Sequence, residues 1–285
     1  TRRTRSSSQP MKTRRPASVN QVTELSKRYL AILAVASLCV SCDQWDRGVD
    51  IPFLATWNGE PLACDSAAPA LTDLRFYVSD PQLIDSDGRI HDVGFATEMH
   101  WQNDAVALID LENGKAACIN GTPEVFDHVV GVARAGEYRG LRFTVGVPFS
   151  LNHANPLTAA APLNDAAMHW HWRSGYKFLR AGIATENDGF WIHVGSTGCE
   201  GTVGHVTGCR FPNRIQIELP EFTPGKSTVA IDLAALMAGI NLEDGVSEDC
   251  SSGPAESSCT AVFGALGINH ATGEQEGTQS VFSVQ

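Results

Sequence analysis

The chain has 285 residues, of which 43% are hydrophobic, and a formal net charge of −11 at pH 7. Residues 1–42 hold 8 of the 21 Lys and Arg but 1 of the 32 Asp and Glu, so the remainder has a formal charge of −18. This balance argues against nucleic acid as a partner, and an acidic surface favours solubility and attracts cations.

The first 42 residues predict an export signal. Basic residues precede an apolar run at 29–40 and small residues follow it, as in an n-region, an h-region and a cleavage zone. The run is too short for the roughly 20 apolar residues of a membrane span. Ser41-Cys42 resembles a bacterial lipobox, which predicts lipidation of Cys42, with ordinary cleavage near Asp43 as the alternative. Both place the mature protein outside the cytoplasm, in the periplasm or at the cell surface, with a lipid as its one membrane contact.

Residues 43–285 predict a single all-β domain, either a β-sandwich or a Greek-key barrel, stapled by disulfides and carrying one or two short helices. Short helices are expected at 232–238, with Asp232 as the N-cap, and within the Ala-rich segment 156–168. The polar, Gly-rich tail after Thr272 is expected to be loosely ordered. Alternation and β-branched or aromatic residues predict strands at 49–57, 74–78, 106–111, 129–132, 141–147, 178–184, 191–194, 214–219 and 228–232.

Six cysteines follow Cys42, and an even number in an exported chain predicts disulfides. Closeness in sequence favours Cys199–Cys209 and Cys250–Cys259, which leaves Cys64–Cys118, although six cysteines can pair in many ways. A thiolate metal site is the alternative, and the lack of any Cys-x-x-Cys spacing among the six disfavours it.

The segment Met168-His-Trp-His-Trp172 is the most informative part of the chain. Histidine is the commonest metal ligand, a methionine thioether favours Cu(I), and tryptophan is readily oxidised. In an extended segment Met168, Trp170 and Trp172 share one face, and His169 and His171 share the other. The combination predicts transition-metal chemistry, with copper as the leading candidate. The alternative is a solvated histidine pair on the outside of an apolar core face.

Two more histidines have a context suited to a metal site. His153 ends a hydrophobic strand and precedes the turn sequence Asn155-Pro156. His193 lies in a predicted strand that the disulfide at Cys199 would anchor, and this would restrain its imidazole. A surface loop histidine and a satisfied core histidine are the respective alternatives.

Several motifs, in order along roughly residues 50–235, carry a family resemblance. They are Leu71-Thr-Asp-Leu-Arg-Phe-Tyr-Val-Ser, Leu111-Glu-Asn-Gly with Cys118-Ile-Asn-Gly-Thr-Pro, Tyr138-Arg-Gly-Leu-Arg-Phe-Thr-Val-Gly-Val-Pro-Phe, Leu151-Asn-His, Met168-x-Trp-x-Trp-x-x-Gly-Tyr-Lys-Phe and His193-Val-Gly-Ser-Thr-Gly-Cys. Together they resemble the MbnP-like family, the four-Cys partner of the metallo-mystery pair. The additional Cys250 and Cys259 depart from a four-Cys pattern.

The resemblance implies an exported copper-binding protein of copper acquisition or homeostasis that is not itself an enzyme. Such proteins are usually encoded beside a di-haem peroxidase-like enzyme, MbnH, which oxidises the first tryptophan of the Trp-x-Trp pair to kynurenine. Carried over, that residue is Trp170, and the modified residue with histidines would bind one Cu(I) ion. We expect His153 and His193 as ligands beside Trp170 as kynurenine. Met168, His169 and His171 are further candidates near the metal.

Two other functions stay open from the residues alone. The first is a periplasmic copper enzyme that uses a histidine-rich site for O₂ or peroxide chemistry. The second is a metal-free sandwich that binds a ligand or a protein on Trp170, Trp172 and Trp191.

Overall fold

The computed structural model describes residues 46–97, 99–186, 189–242 and 248–285. The predicted export signal and Cys42 lie outside the described residues. Residues Asp46–Gln285 form one compact unit. Within the described ranges no helix is long and apolar enough to cross a bilayer.

Strands dominate the described chain, and the helices are short. The strands are β1 (Asp46–Trp57), β2 (Glu60–Pro61), β3 (Ala70–Asp85), β4 (Ile90–Asp92), β5 (Gly94–Phe95), β6 (Val106–Asp110), β7 (His128–Arg134), β8 (Tyr138–Val145), β9 (His169–His171), β10 (Gly175–Ala184), β11 (Gly189–Gly195), β12 (Thr197–Thr202), β13 (His205–Phe211), β14 (Ile215–Leu219), β15 (Val229–Asp232) and β16 (Phe282–Val284). The α-helices are α1 (Phe149–Asn152), α2 (Leu233–Leu236) and α3 (Ser258–Ala265), and 3₁₀ turns cover Ala116–Cys118 and Ala166–Met168.

Two open sheets form a sandwich. The first has the order β16–β15–β1–β7–β5, with β2 on β1, and β1 pairs in parallel with β15. The second has the order β11–β10–β3–β8–β14, with β4 and β6 on β3 and β9 on β10. The hairpin β12–β13 is a separate two-stranded sheet. The prediction of an all-β sandwich is confirmed, and no closed barrel forms within the described residues.

The core lies between the sheets because alternate residues of each strand point inward. Phe53 from the first sheet meets Phe76 and Phe143 from the second, edge to face, at centroid distances of 5.4 and 5.8 Å. All of the strands predicted from alternation are present. The strands that alternation did not predict are short or have few buried residues, namely β2, β4, β5, β9, β12, β13 and β16.

The helices and the tail differ in part from expectation. Asp232 caps α2 as predicted, since its Oδ1 accepts the Ala234 N–H at 2.9 Å. The segment 156–168 holds only a 3₁₀ turn at its end, and α3 was not predicted. The end of the tail pairs as β16 with β15, and Phe282 is buried in the core. The expectation of a loose tail was wrong there, because its apolar residues complete the core between the sheets.

The three predicted disulfides are all present, namely Cys64–Cys118, Cys199–Cys209 and Cys250–Cys259. Cys250 also lies along the edge of β11. Its N–H donates to the Trp191 carbonyl at 3.0 Å, and its carbonyl accepts the His193 N–H at 2.8 Å. The C-terminal disulfide therefore helps to hold the strand that carries His193.

Candidate metal centre

The segment that carries Trp170 is a short hairpin at one edge of the second sheet. Asp165 caps the 3₁₀ turn that precedes β9, because its Oδ1 accepts the Ala167 N–H at 2.7 Å. After β9 the chain reverses, and His169 pairs with Tyr176 in β10. Gly175 has a φ of +77°, and a Cβ there would lie 2.1 Å from a backbone oxygen. The reversal that presents Trp170 therefore requires glycine at this position.

Trp170 packs on β11 beside His193. The two ring centroids are 6.4 Å apart at an interplanar angle of 76°. Trp191 is the other indole near His193, at a centroid distance of 6.2 Å. Gly195 lies against the Trp170 ring, and a Cβ added there would come 2.6 Å from Cζ3. A small residue at 195 thus lets the indole reach the strand that bears the imidazole.

Replacing Gly195 with alanine is expected to displace Trp170 and to lower stability by about 2 kcal/mol. The added Cβ would also lie 2.7 Å from the Tyr176 carbonyl oxygen, so neither neighbour can move freely. Copper content and urea unfolding measure the two effects. Gly48→Ala in β1 is the matched control, because its added Cβ meets nothing within 4 Å. Equal behaviour of the two variants would contradict this packing.

His193 is held as a neutral imidazole. Its Nε2 is buried and has no hydrogen-bond partner among the described residues. Burial, followed by the nearby charges of Lys177 and Arg180, lowers its pKa to about 4. Arg180 lies directly opposite His193 in the β10–β11 pairing. At neutral pH the ring is therefore uncharged and has a lone pair on one of its nitrogens, and Nε2 has no hydrogen-bonding neighbour in the described part of the chain.

The stability of the metal-free protein should fall as the pH drops from 6.5 towards 4. The folded pKa of His193 lies below its ordinary value of 6.5, so in this window the unfolded chain binds more protons. The contribution of neutral His193 to the free energy of unfolding is complete above pH 6.5 and is lost as the pH approaches 4. We expect this loss to be about 2 kcal/mol after solvent screening. Urea unfolding of wild type and His193→Gln across this range measures it. Parallel pH curves for the two proteins would contradict the prediction.

His169 resembles His193 in its surroundings. Its Nε2 is buried and without a hydrogen-bond partner in the described part of the chain. Its ring lies edge to face with Tyr176 at 5.0 Å. Burial, and then the neighbouring His171 and His153, lower the pKa of His169. The structure therefore adds weight to a residue that the sequence gave only as a further candidate.

His153 follows α1 and is oriented through the second tryptophan of the pair. Its Nδ1 lies 3.1 Å from the Trp172 carbonyl oxygen. A carbonyl can only accept, so Nδ1 carries the proton and Nε2 carries the lone pair. Burial lowers the pKa of His153, and the bond to Trp172 opposes this. A histidine whose other nitrogen donates to a backbone carbonyl is in the arrangement typical of a metal ligand.

The remaining candidates are divided between core and surface. Met168 ends the 3₁₀ turn and is fully buried in a small core with Tyr176 and Phe178. His171 is exposed, and its Nδ1 accepts the Arg173 N–H at 3.2 Å. The regular strand covers only His169–His171, which is shorter than the extended segment 168–172 assumed from the sequence.

A buried charge network lies under the hairpin. Arg75 donates two hydrogen bonds to Asp73, at 2.9 and 2.5 Å. Arg180 also contacts Asp73, with Nε 3.0 Å from Oδ2. Arg75 reaches the capping Asp165 at 3.7 Å. The network therefore joins β3 and β10 to the turn that precedes Trp170.

The sequence analysis missed this network, although one signal was available. Asp73 and Arg75 alternate with apolar residues in a strand that is otherwise buried, so both point the same way inside the protein. Lys177 adds a further cation, and its Nζ donates to the Ala167 carbonyl at 2.7 Å. Burial, and then Arg180, lower the pKa of Lys177 to about 8.

Comparison with known proteins identifies the family. A family model described as MbnP matches residues 46–255. The chain belongs to the MbnP family. The solved structure of MbnP from Methylosinus trichosporium is similar, with 26% sequence identity and a TM-score of 0.72, over 84% of this chain and 98% of that chain. No curated protein matches the chain significantly. The resemblance inferred from the ordered motifs is confirmed.

Proposed function

We propose that this MbnP-family protein is an exported Cu(I)-binding protein of copper acquisition or homeostasis. Family membership supports a role in the copper system. The observation that carries the proposal is the contact between Trp170 and His193, whose Nε2 is buried without a hydrogen-bond partner in the described ranges. A buried polar nitrogen that makes no hydrogen bond is costly, and a soft monovalent ion would satisfy it.

The proposed ligands are His153 and His193, with Trp170 as the modified third partner. His193 approaches Trp170 through ring contact, and His153 is tied to the same hairpin through the Trp172 carbonyl. Neutral imidazoles suit Cu(I), which prefers few, soft or imidazole ligands shielded from water. Conversion of Trp170 to kynurenine would provide an aromatic amine and a ketone in place of the indole. Met168 and His169 remain candidates beside the ion.

The proposed partner is a di-haem peroxidase-like enzyme, for which this chain is the substrate and not a second enzyme. Trp170 is half-buried at a sheet edge, so a separate protein could approach it from the surface. The predicted export signal and the predicted lipid at Cys42 would direct this chain to the periplasm or the cell surface, where the enzyme would meet it. The chain would then hold copper outside the cytoplasm.

A matched pair of tryptophan variants tests the proposal. Each full chain, Trp170→Phe or Trp172→Phe, is co-expressed with the di-haem enzyme, and copper per chain is measured after purification. Trp170→Phe should abolish tight copper binding, whereas Trp172→Phe keeps the residue that is to be modified and should retain most of it. Full copper content in Trp170→Phe would overturn the proposal, and it would favour an ordinary histidine site.

A further inference from the structure

A second group of soft-metal donors surrounds the Cys199–Cys209 disulfide. The two sulfur atoms and one imidazole nitrogen of His153 all lie within 4.8 Å of one another. The closest approach is 3.5 Å, between His153 Nε2 and Cys209 Sγ. While the sulfurs are bonded to each other they are poor ligands, because thiolates are the form that binds metals.

We propose that Cys199, Cys209 and His153 form a latent Cu(I) site that opens when a dithiol reduces this disulfide. The dithiol supplies two electrons and two protons to the S–S bond and becomes a disulfide itself. Cu(I) then displaces the two thiol protons and binds two thiolates and Nε2. This site needs no kynurenine, so it goes beyond the function proposed above, and it would compete with the kynurenine site for the single lone pair of His153.

The backbone would keep the donors together after the S–S bond breaks. Cys199 and Cys209 are directly paired in the β12–β13 hairpin, and the backbone pairing continues on both sides of them, from Thr197 with Phe211 to Thr202 with His205. Side chains of such a pair stay within about 5 Å of each other at Cβ. Two thiolates on facing strands are therefore already placed to share one ion.

His153 is already set for the third position. Its Nδ1–H is fixed on the Trp172 carbonyl, which leaves the lone pair on Nε2, the nitrogen nearest Cys209. Asn152 supports the same tautomer, since its Nδ2 lies 3.4 Å from Nε2 and can only donate. An imidazole with two thiolates is a soft donor set that selects Cu(I).

Access distinguishes this disulfide from the other two. Cys209 is half-buried and lines a cleft of about 210 Å³ with Phe149, Asn152 and Thr207. The four cysteines of the other disulfides are at most 2% exposed. A small dithiol can therefore reach Cys209 Sγ before it reaches the others. Selective reduction is a direct consequence of this burial.

The test uses the Trp170→Phe chain, which cannot form the kynurenine site. A negative result then counts against the disulfide site alone and says nothing about the kynurenine site. The protein is treated anaerobically with dithiothreitol, freed of it by gel filtration and titrated with Cu(I) against a chromogenic chelator. The reduced protein should bind one more Cu(I) than the untreated protein, and alkylation with peptide mapping should find the new thiols at Cys199 and Cys209. X-ray absorption should show two sulfurs and one nitrogen around copper.

Two variants make the assignment specific. The double variant Cys199→Ser, Cys209→Ser keeps His153 but should gain no copper on treatment. His153→Ala keeps both thiols and should weaken the additional site by at least about tenfold. The proposal is overturned if the disulfide resists the dithiol, or if the reduced protein gains no copper. It is also overturned if His153→Ala binds the additional ion as tightly as the Trp170→Phe chain does.

Discussion

His193→Ala is expected to abolish tight Cu(I) binding, with a loss of at least about 100-fold in affinity. Its Nε2 is buried without a hydrogen-bond partner in the described chain, its ring packs against Trp170, and its low pKa keeps the imidazole neutral at neutral pH. A competition titration with a Cu(I) chelator on protein co-expressed with the di-haem enzyme measures the loss. Circular dichroism confirms that the variant is folded.

The matched control for this substitution is His171→Ala. His171 is exposed, and among the described residues its side chain hydrogen-bonds only to Arg173 and Ser174 of its own turn, so its loss should leave copper affinity unchanged. Wild-type affinity in His193→Ala would contradict the proposed ligand set. His153→Ala should also lose tight binding, and His169→Ala should keep it. If His169→Ala instead lost tight binding and His153→Ala kept it, the second imidazole ligand would be His169, whose Nε2 is buried as well.

Asp73→Ala is expected to lower the free energy of unfolding by about 3–5 kcal/mol, the largest effect on stability that we predict. Both Asp73 and Arg75 side chains are 2% exposed, so removing the carboxylate leaves the buried guanidinium without its bidentate partner. Arg180 loses its contact at the same time. Urea unfolding of the metal-free protein measures the change.

The control removes an ion pair of similar length at the surface. Arg142 and Glu218 are 2.5 Å apart, but their side chains are 38% and 55% exposed. Glu218→Ala should cost less than about 1 kcal/mol, because water already screens the pair. If Asp73→Ala lowers the free energy of unfolding no more than Glu218→Ala does, the buried network does not stabilise the hairpin that carries Trp170.

The sheets could be predicted because their strands alternate strongly. Buried residues at every second position of β1 and β14 are visible in the sequence and fix both the strand and its inner face. The hairpin β12–β13 lacks this pattern, since it is mostly exposed and rich in glycine. The sequence indicated this pairing only through Cys199 and Cys209, the two cysteines that the disulfide joins. Tertiary contacts alone identify β16, whereas β9 lies within the extended segment 168–172 assumed from the sequence.

The candidate site could be predicted only in part. His193 was indicated by its strand and by the cysteine that ends it, and Trp170 by its motif. The arrangement around them depends on residues far apart in the chain. Asp73 meets Arg180, and His153 meets Cys209, across more than 50 intervening residues, so no local pattern reports these contacts. The register between strands decides which side chains face each other, and this register cannot be read from the amino-acid composition.

The most direct test of the central claim is peptide mass spectrometry of the wild-type chain, purified with and without co-expressed di-haem enzyme, together with copper quantitation on the same samples. We predict a gain of about 4 Da, for loss of one carbon and gain of one oxygen, at Trp170 and not at Trp172. The modified sample should hold one copper per chain, and the unmodified sample should hold almost none. An unmodified Trp170 in a chain that is fully loaded with copper would contradict the account.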